Sequence, residues 1–199
     1  NAYDKVCQDA QGWLKDGLMD ELFPMMYFRN EQFFPFAVDW AEQSHGKIVA
    51  PGLGIYFLDP KEGKWRLEDV TREMYLLRKY HLGHTYFRGK FFTDDIQGIY
   101  HFAQAFDGTP ALIPAMTWES KTVPAAPTRL QLTDNTLSWQ GTTPYYNIYS
   151  SRTWPVDTHD ARNLVATRLN ATMLSVPTAG RYFAVTAMDR YGNESLPLQ

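Results

Sequence analysis

Residues 67–108 read LEDVTREMYLLRKYHLGHTYFRGKFFTDDIQGIYHFAQAFDG, and this stretch decides the fold class of the first half of the chain. Its apolar residues recur at helical spacing up to Gly83, which ends the predicted helix, and acids lead while basic residues trail. Residues 84–92 form an apolar run typical of a strand, and residues 94–108 carry a second amphipathic stripe. The stretch therefore predicts helix, strand and helix in succession.

The same alternation continues towards the N-terminus. A helix is predicted over 3–16, a strand over 18–28, a helix over 30–46 and a strand over 47–57. Strands that alternate with helices of this length indicate parallel β/α units. Three such units are too few for a closed eight-stranded barrel. The predicted fold class is therefore α/β, either a partial TIM barrel made of the last three β/α units or a small open sheet with helices on both faces.

The second half of the chain has a different composition. Four prolines within residues 110–127 mark an extended connector, because proline fixes φ and lacks a donor for a strand ladder. Only short strand-like runs follow. We therefore predict two domains, residues 3–123 and residues 124–199.

Alternating apolar residues predict how the second domain packs. The side chains predicted to face inward are Phe183, Val185 and Ala187 on one strand, with Leu137, Trp139, Tyr146 and Ile148 opposite. About 70 residues of short strands with regular turns favour an immunoglobulin-like sandwich. Trp139 and the segments YNIYSS and VTAMDRYGNES resemble a fibronectin type III domain, which implies an all-β sandwich. Residues 152–170 are longer and less regular than this resemblance implies.

Charge and composition exclude several classes of function. The 19 Lys and Arg residues against 22 Asp and Glu give a formal net charge of −3, too balanced for a nucleic-acid-binding surface. No apolar run reaches the roughly 18 residues that span a bilayer, so no transmembrane segment is predicted. Cys7 is the single cysteine, so no disulfide forms within the chain. His81 and His84 straddle a helix end, and neither a metal site nor another cofactor is predicted.

The candidate binding residues lie where the three predicted strands end. They are Tyr27 and Arg29 after the first strand, Tyr56 after the second, and Arg88 and Lys90 after the third. Aromatic rings beside forked cations suit a sugar, whose C–H face stacks on a ring while its hydroxyls take Arg or Lys donors. The alternative is that the aromatic residues belong to the core and that the cations pair with nearby acids.

Catalytic residues are not identified by the sequence. A glycosidase needs two carboxyl groups about 5–10 Å apart across the scissile bond. Asp59 lies near a strand end with Glu62 in the following loop, whereas Asp20 and Glu21 lie at the start of a strand, the face associated with stability. None of these forms a convincing pair, so we expect the principal acid and base to lie upstream.

Several segments of the first half resemble a known family. DAQGWLKDGLMDELFPMMYF, FAVDWAEQ, YFRGKFFTDDIQGIYHFA and TPALIPAMTW resemble the C-terminal half of the bacterial glycosyl-hydrolase-like family-ten proteins, from about Tyr3 to Trp118. These are TIM-barrel envelope proteins often followed by a fibronectin-like module. Tyr27 matches the family motif, but Met25 replaces a usual glutamine and so removes a polar group from the expected cleft.

The resemblance implies a function for a longer protein. It implies a glycoside hydrolase acting on a bacterial glycan, with peptidoglycan-type strands favoured, in the bacterial cell envelope. It also implies that the family's acidic residues are absent here, so the fragment alone is expected to be inactive. The alternative is a non-catalytic module that binds a carbohydrate or a partner, and the sandwich is also expected to act as a spacer.

The chain is expected to be a C-terminal piece that associates with itself. Asn1-Ala2 looks like the remainder of a cleaved tag, so the absence of a signal peptide says nothing about location. A parallel edge strand and an apolar inner sheet face would lack partners in such a piece. Unless the first predicted helix covers that face, we expect self-association through that side, burying more than roughly 1,000 Å².

Overall fold

The computed structural model describes residues 2–177 and 179–199, which divide into two compact units. The first unit ends at Phe106 and the second begins at Asp107. The sequence predicted the boundary after residue 123, so the proline-rich connector groups with the second unit instead. The Met116 N–H donates to the Tyr191 carbonyl at 2.8 Å, which ties the connector to that unit.

The first unit contains short strands between helices. Its helices are α1 (Ala2–Val6), α2 (Ala10–Lys15), α3 (Phe34–Glu42), α4 (Leu67–Lys79), α5 (Lys90–Thr93) and α6 (Ile99–Phe106). Its strands are β1 (Glu21–Leu22), β2 (Ile48–Val49), β3 (Gly52–Leu53) and β4 (Thr85–Tyr86). β1 pairs with β2 and β3 pairs with β4, both in parallel, which is the pairing expected of β/α units.

β2 and β3 form one central segment that is interrupted by Pro51. On one side, the Ala50 N–H donates to the Leu22 carbonyl at 3.0 Å, which continues the β1 ladder. On the other side, the Thr85 N–H donates to the Pro51 carbonyl at 3.0 Å. Pro51 has no N–H to donate, which explains why the predicted strand 47–57 is divided. A 3₁₀ turn at Ile55–Leu58 then ends it.

Several helices and strands of the first unit are shorter than the pattern predicted, including the predicted strand over 18–28, which is reduced to β1, and the predicted helix over 30–46, which is reduced to a 3₁₀ turn at Asn30–Gln32 and α3. The predicted helix 3–16 is broken at Cys7, whose φ of 54° is left-handed and cannot continue a right-handed helix. Residues 90–93 are helical rather than extended. The predicted helix over 94–108 becomes regular only at Ile99, because Asp95 and Gln97 have φ values of 45° and 52°.

The core of the first unit lies against one side of the parallel strands. Its buried members are Met26, Phe33, Ala37, Leu53, Ile55, Leu58, Trp65, Val70, Met74, Leu77, Phe91 and Ile99. Leu53 and its register partner Tyr86 both pack in this core. Because strand side chains alternate, Gly52 and Thr85 face the other side, together with Met25, which is bridged to Gly52. The Met25 side chain is exposed on that face.

The second unit contains two antiparallel three-stranded sheets. Its strands are β5 (Thr128–Thr133), β6 (Thr136–Gln140), β7 (Tyr145–Ser151), β8 (Leu164–Leu169), β9 (Met173–Ser175) and β10 (Tyr182–Met188). One sheet has the order β5-β6-β9 and the other β10-β7-β8. The core between them contains all seven residues predicted to face inward, with Val176 added. This arrangement is consistent with the predicted fibronectin type III-like sandwich.

The irregular residues after β7 cover the outer face of one sheet. Val156 and Leu164 pack there against Tyr149 and Ala184 and form a second buried cluster. The Gln199 amide holds this segment by accepting from the Val156 N–H at 2.9 Å and donating to its carbonyl at 3.1 Å. The additional residues between β7 and β8 therefore bury part of the outer face of the β10-β7-β8 sheet.

None of the described helices combines the length and the apolar character that a bilayer crossing requires. The longest described helix is α4, and its solvent face carries charged residues.

Candidate functional site

Three aromatic rings meet where the parallel strands of the first unit end. The rings of Tyr27 and Phe87 are stacked, with centroids 5.4 Å apart. Tyr56 meets both edge-on, at 5.8 Å from Tyr27 and 5.7 Å from Phe87. The structure therefore brings together two predicted binding residues. Phe87 was not among the predicted binding residues, although alternation from Thr85 places it on the same face as Tyr27.

Two glycines allow this approach. A Cβ on Gly52 would lie 3.2 Å from Tyr27 Cε1, and one on Gly54 would lie 3.2 Å from Tyr27 Cβ and 3.1 Å from Phe57 Cδ2. These distances are tighter than ordinary van der Waals contact. Gly52 and Gly54 are therefore required by the close approach of the Tyr27 ring to the second strand.

Beside the aromatic cluster lies an open cleft of about 520 Å³. The residues lining the cleft are Tyr27, Phe28, Arg29, Asn30, Glu31, Gln32, Phe57 and Trp65. Its volume is in the range that holds a small ligand. Phe57 and Trp65 form one wall, with ring centroids 4.8 Å apart. Trp65 was not among the predicted site residues, because the loop that carries it has no periodic sequence pattern.

Arg29 is held in place at the cleft. Its Nη1 donates to Asp69 Oδ2 at 3.1 Å, and its guanidinium carbon lies 5.3 Å from the centre of the Trp65 ring. Burial acts to raise the pKa of Asp69, but the Arg66 N–H and the Arg29 guanidinium outweigh burial, and the pKa is lowered. Asp69 is therefore ionised at neutral pH and fixes the cation. The remaining N–H groups of Arg29 are available to a ligand, because a guanidinium has five.

Glu73 is a buried carboxyl near this ion pair. Its exposed fraction is 1%, and neither of its oxygens has a hydrogen-bond partner among the described residues. Burial, and then the negative charge of Asp69, raise its pKa to about 9 against the opposing effect of Arg29. Glu73 is therefore protonated and neutral at pH 7. A shifted buried acid of this kind is a common feature of functional sites.

The other two predicted cations lie outside the cleft lining. Arg88 Nη2 lies 3.5 Å from Glu62 Oε1, and Lys90 pairs with Asp94 one turn further on. Both flank the ring of Phe91, at 5.5 Å and 5.4 Å from its centre. Arg88 and Lys90 therefore pair with nearby acids, as the alternative interpretation expects. Their role as binding residues stays a prediction.

The predicted carboxyl candidates have local partners. Asp59 Oδ1 accepts from the Lys61 N–H at 2.9 Å and stabilises the loop turn, while Glu62 pairs with Arg88. Among the residues that line the cleft, Glu31 is the one acid. The cleft thus has aromatic surface, a fixed cation and amide groups, and a single carboxylate. This set suits the binding of a polar ring-shaped ligand better than acid–base cleavage.

Comparison with known proteins does not give a family for this chain. No family model matches the chain, and no curated protein matches it. It is similar to the solved structure of an Fn3-like protein from Clostridium thermocellum, with 28% identity over 38% of this chain and 86% of that chain. The TM-score is 0.30. At that score the similarity adds nothing to the sandwich assignment, which rests on the strand order, registers and core described above.

Proposed function

We propose that residues 3–123 include the last three β/α units of a (β/α)8 barrel and that this barrel binds a bacterial glycan. The two parallel pairings and the intervening helices support this arrangement. The aromatic cluster of Tyr27, Tyr56 and Phe87 lies at the C-terminal strand ends, where barrel enzymes place their sites. The exposed strand face that carries Met25 would then line the interior of the barrel.

The cleft beside this cluster is the observation that carries the proposal. Tyr27 and the 49% exposed Phe28 offer ring surface for the C–H face of a pyranose. Arg29 lines the same cleft, ionised and oriented by Asp69 over the Trp65 ring, and offers donors to sugar hydroxyls or carboxylates. Rings and a positioned cation in one cleft of about 520 Å³ are the combination that sugar recognition needs.

For the longer protein we propose glycoside hydrolysis by carboxylate acid–base chemistry. The resemblance to the bacterial glycosyl-hydrolase-like family-ten proteins supports this reaction, a peptidoglycan-type substrate and a location in the cell envelope. Since Glu31 is the one acid in the cleft lining, the catalytic pair would come from upstream residues of that protein. This chain would contribute substrate contacts.

The single cleft carboxylate also favours a second candidate function. In that case the chain is a non-catalytic module that holds a glycan through Tyr27, Phe28 and Arg29 and performs no cleavage. The two candidates share the cleft and differ in the reaction, so one binding experiment and one activity experiment separate them.

Binding is tested with this chain and purified peptidoglycan sacculi. Arg29→Met keeps the aliphatic stem but removes the donors, and we expect it to weaken binding roughly tenfold, the effect of losing a charge-assisted hydrogen bond. Arg72→Met is the matched control, because Arg72 stacks on Phe34 away from the cleft. Equal binding by the parent, Arg29→Met and Arg72→Met would contradict the cleft assignment.

Hydrolysis is tested with the full-length protein on the same sacculi. Release of soluble glycan that stops when upstream carboxylates are changed to amides would support the hydrolase. Binding without release would support the non-catalytic module. Neither result depends on activity of the fragment alone.

A further inference from the structure

Two aromatic side chains are exposed next to each other on the sandwich. Trp154 is 56% exposed and Tyr182 is 48% exposed. Their ring centroids are 5.9 Å apart and their planes are inclined by 57°. Large rings usually avoid solvent, so a neighbouring exposed pair marks a surface with a function.

The backbone on both sides of Trp154 is held in place. The Thr153 N–H donates to Ser151 Oγ at 3.0 Å, and the buried Val156 is bonded through both its N–H and its carbonyl to the Gln199 amide. The turn that carries Trp154 is therefore fixed at both ends while the ring itself faces solvent. Such a ring loses little conformational freedom when a ligand binds.

Tyr182 is fixed by the sheet. It is the first residue of β10 and pairs in register with Ser151 of β7, the residue that anchors the Trp154 turn. Strand alternation directs its side chain to the outer face, since Phe183 points into the core between the sheets. The two rings therefore form a preorganised pair, which we call the Trp154–Tyr182 pair.

The size of the pair decides between possible occupants. An aromatic side chain presents about 150–250 Å² in total, so two half-exposed rings offer on the order of 200 Å². A stable protein partner or a second copy needs about 800 Å² on each side. One or two pyranose rings match the smaller area. The indole N–H and the tyrosine hydroxyl supply polar groups at its edge.

We propose that the Trp154–Tyr182 pair is a second carbohydrate-binding site, which stacks on the apolar face of a pyranose in a β-linked oligosaccharide. It shares no residue with the cleft of the first unit, so it stands or falls independently of the proposed function. Its role is to hold a polysaccharide chain on the sandwich without chemistry.

The test uses the whole 199-residue chain labelled with ¹⁵N and titrated with the hexamer of N-acetylglucosamine or with cellohexaose. Trp154→Phe assigns the indole resonance of Trp154. With at least one probe we expect that resonance to shift in a saturable manner. Trp154→Ala and Tyr182→Ala should each weaken binding at this site about 3- to 10-fold, from the energy of one ring contact. The weakening is followed through the Trp154 indole resonance in Tyr182→Ala and through the Tyr182 backbone amide resonance in Trp154→Ala.

The control is Leu196→Ala, because Leu196 is exposed to 79% in the same unit but is not aromatic. It should bind as the parent does, and Trp154→Phe should retain most of the affinity. Thermal unfolding of each variant confirms that the exposed substitutions leave the fold intact.

Three results would overturn the proposal. The first is a Trp154 resonance that neither probe moves, and a shift confined to the Trp65 resonance would assign all binding to the cleft. The second is unchanged affinity in both Trp154→Ala and Tyr182→Ala. The third is a dimer by light scattering that Trp154→Ala converts to a monomer, which would make the pair a contact between copies of the chain.

Discussion

The ring of Tyr27 lies directly against the backbone of Gly52, in the space where any other residue would carry its side chain. A Cβ on Gly52 would lie 3.2 Å from Tyr27 Cε1 and 3.5 Å from the Pro24 carbonyl oxygen and from Thr85 Oγ1. Because Gly52 has no Cβ, the Tyr27 ring can occupy this position beside the strand. The aromatic cluster of Tyr27, Tyr56 and Phe87 therefore depends on Gly52.

Gly52→Ala is therefore expected to displace Tyr27. We expect a loss of about 1–3 kcal/mol in the free energy of unfolding, the usual result of overpacking, together with weaker glycan binding. The matched control is Gly89→Ala, because a Cβ on Gly89 would meet nothing within 4 Å and its φ is −54°. Urea unfolding and the sacculus-binding assay measure both effects, and equal behaviour of the two variants would contradict this relationship.

The sandwich was predictable because its signal is local. Phe183, Val185 and Ala187 alternate along one strand, and alternation fixes which face of a sheet each side chain occupies. The same alternation places Tyr182 on the outer face, where it is 48% exposed. It could not foresee that Trp154 would stand beside Tyr182, since the turn that carries Trp154 is positioned by contacts distant in sequence.

The cleft was predictable only in part, for a related reason. Tyr27 and Arg29 follow a strand, so their place at its end could be inferred from the β/α pattern. Trp65 comes from an irregular loop, and its position depends on packing against Phe57. Glu73 lies on the buried side of α4, and the sequence pattern does not distinguish a buried acid on this helix from a solvated one.

Glu73 makes the stability of the first unit depend on pH. Its pKa is about 9 in the folded chain against an ordinary value of 4.5, so between these values the folded state holds a proton that the unfolded state has released. The charged groups that act on it are Asp69 on its own helix and Arg29 from the segment after β1. Stability should therefore fall as the pH rises from 4.5 to 9.

Glu73→Gln removes this titration. We expect the variant to lose less stability than the parent between pH 5 and pH 9, with a difference in slope of up to about 1.4 kcal/mol per pH unit. Urea unfolding followed at pH 5, 7 and 9 gives the slopes. Glu68→Gln on the same helix is the control, since Glu68 is exposed and should leave the slope unchanged. Parallel slopes for the parent and Glu73→Gln would show that burial does not shift this carboxyl.

Self-association of the chain remains a prediction, and its expected surface can now be named. On the strand face opposite the core of the first unit, Phe23 is 53% exposed and Met25 is 74% exposed, beside the edge strand β1. We expect light scattering to show oligomers that the double substitution Phe23→Ser and Met25→Ser reduces to monomer. Phe36→Ser, on helix α3, should not have this effect. A monomeric parent chain would refute the prediction.

Two tyrosines on β7 should respond oppositely to the loss of a hydroxyl. Tyr149 donates to Glu194 Oε1 at 2.6 Å, and the same oxygen accepts from Asn147 Nδ2 at 2.8 Å. Burial, followed by the Glu194 hydrogen bond and charge, raises the pKa of Tyr149, so it remains a donor. Tyr146 faces the core between the sheets, and its hydroxyl has no hydrogen-bond partner among the described residues.

Tyr149→Phe should therefore destabilise the chain by about 1–3 kcal/mol, because a buried hydrogen bond to a charged group is lost. Tyr146→Phe removes a hydroxyl that gains nothing from burial, and we expect it to be neutral or stabilising. Each substitution deletes one oxygen and keeps the ring, so each variant serves as the size-matched control of the other. Urea unfolding at pH 7 measures both. Equal losses of unfolding free energy in the two variants would mean that the hydrogen bond from Tyr149 to Glu194 adds no stability.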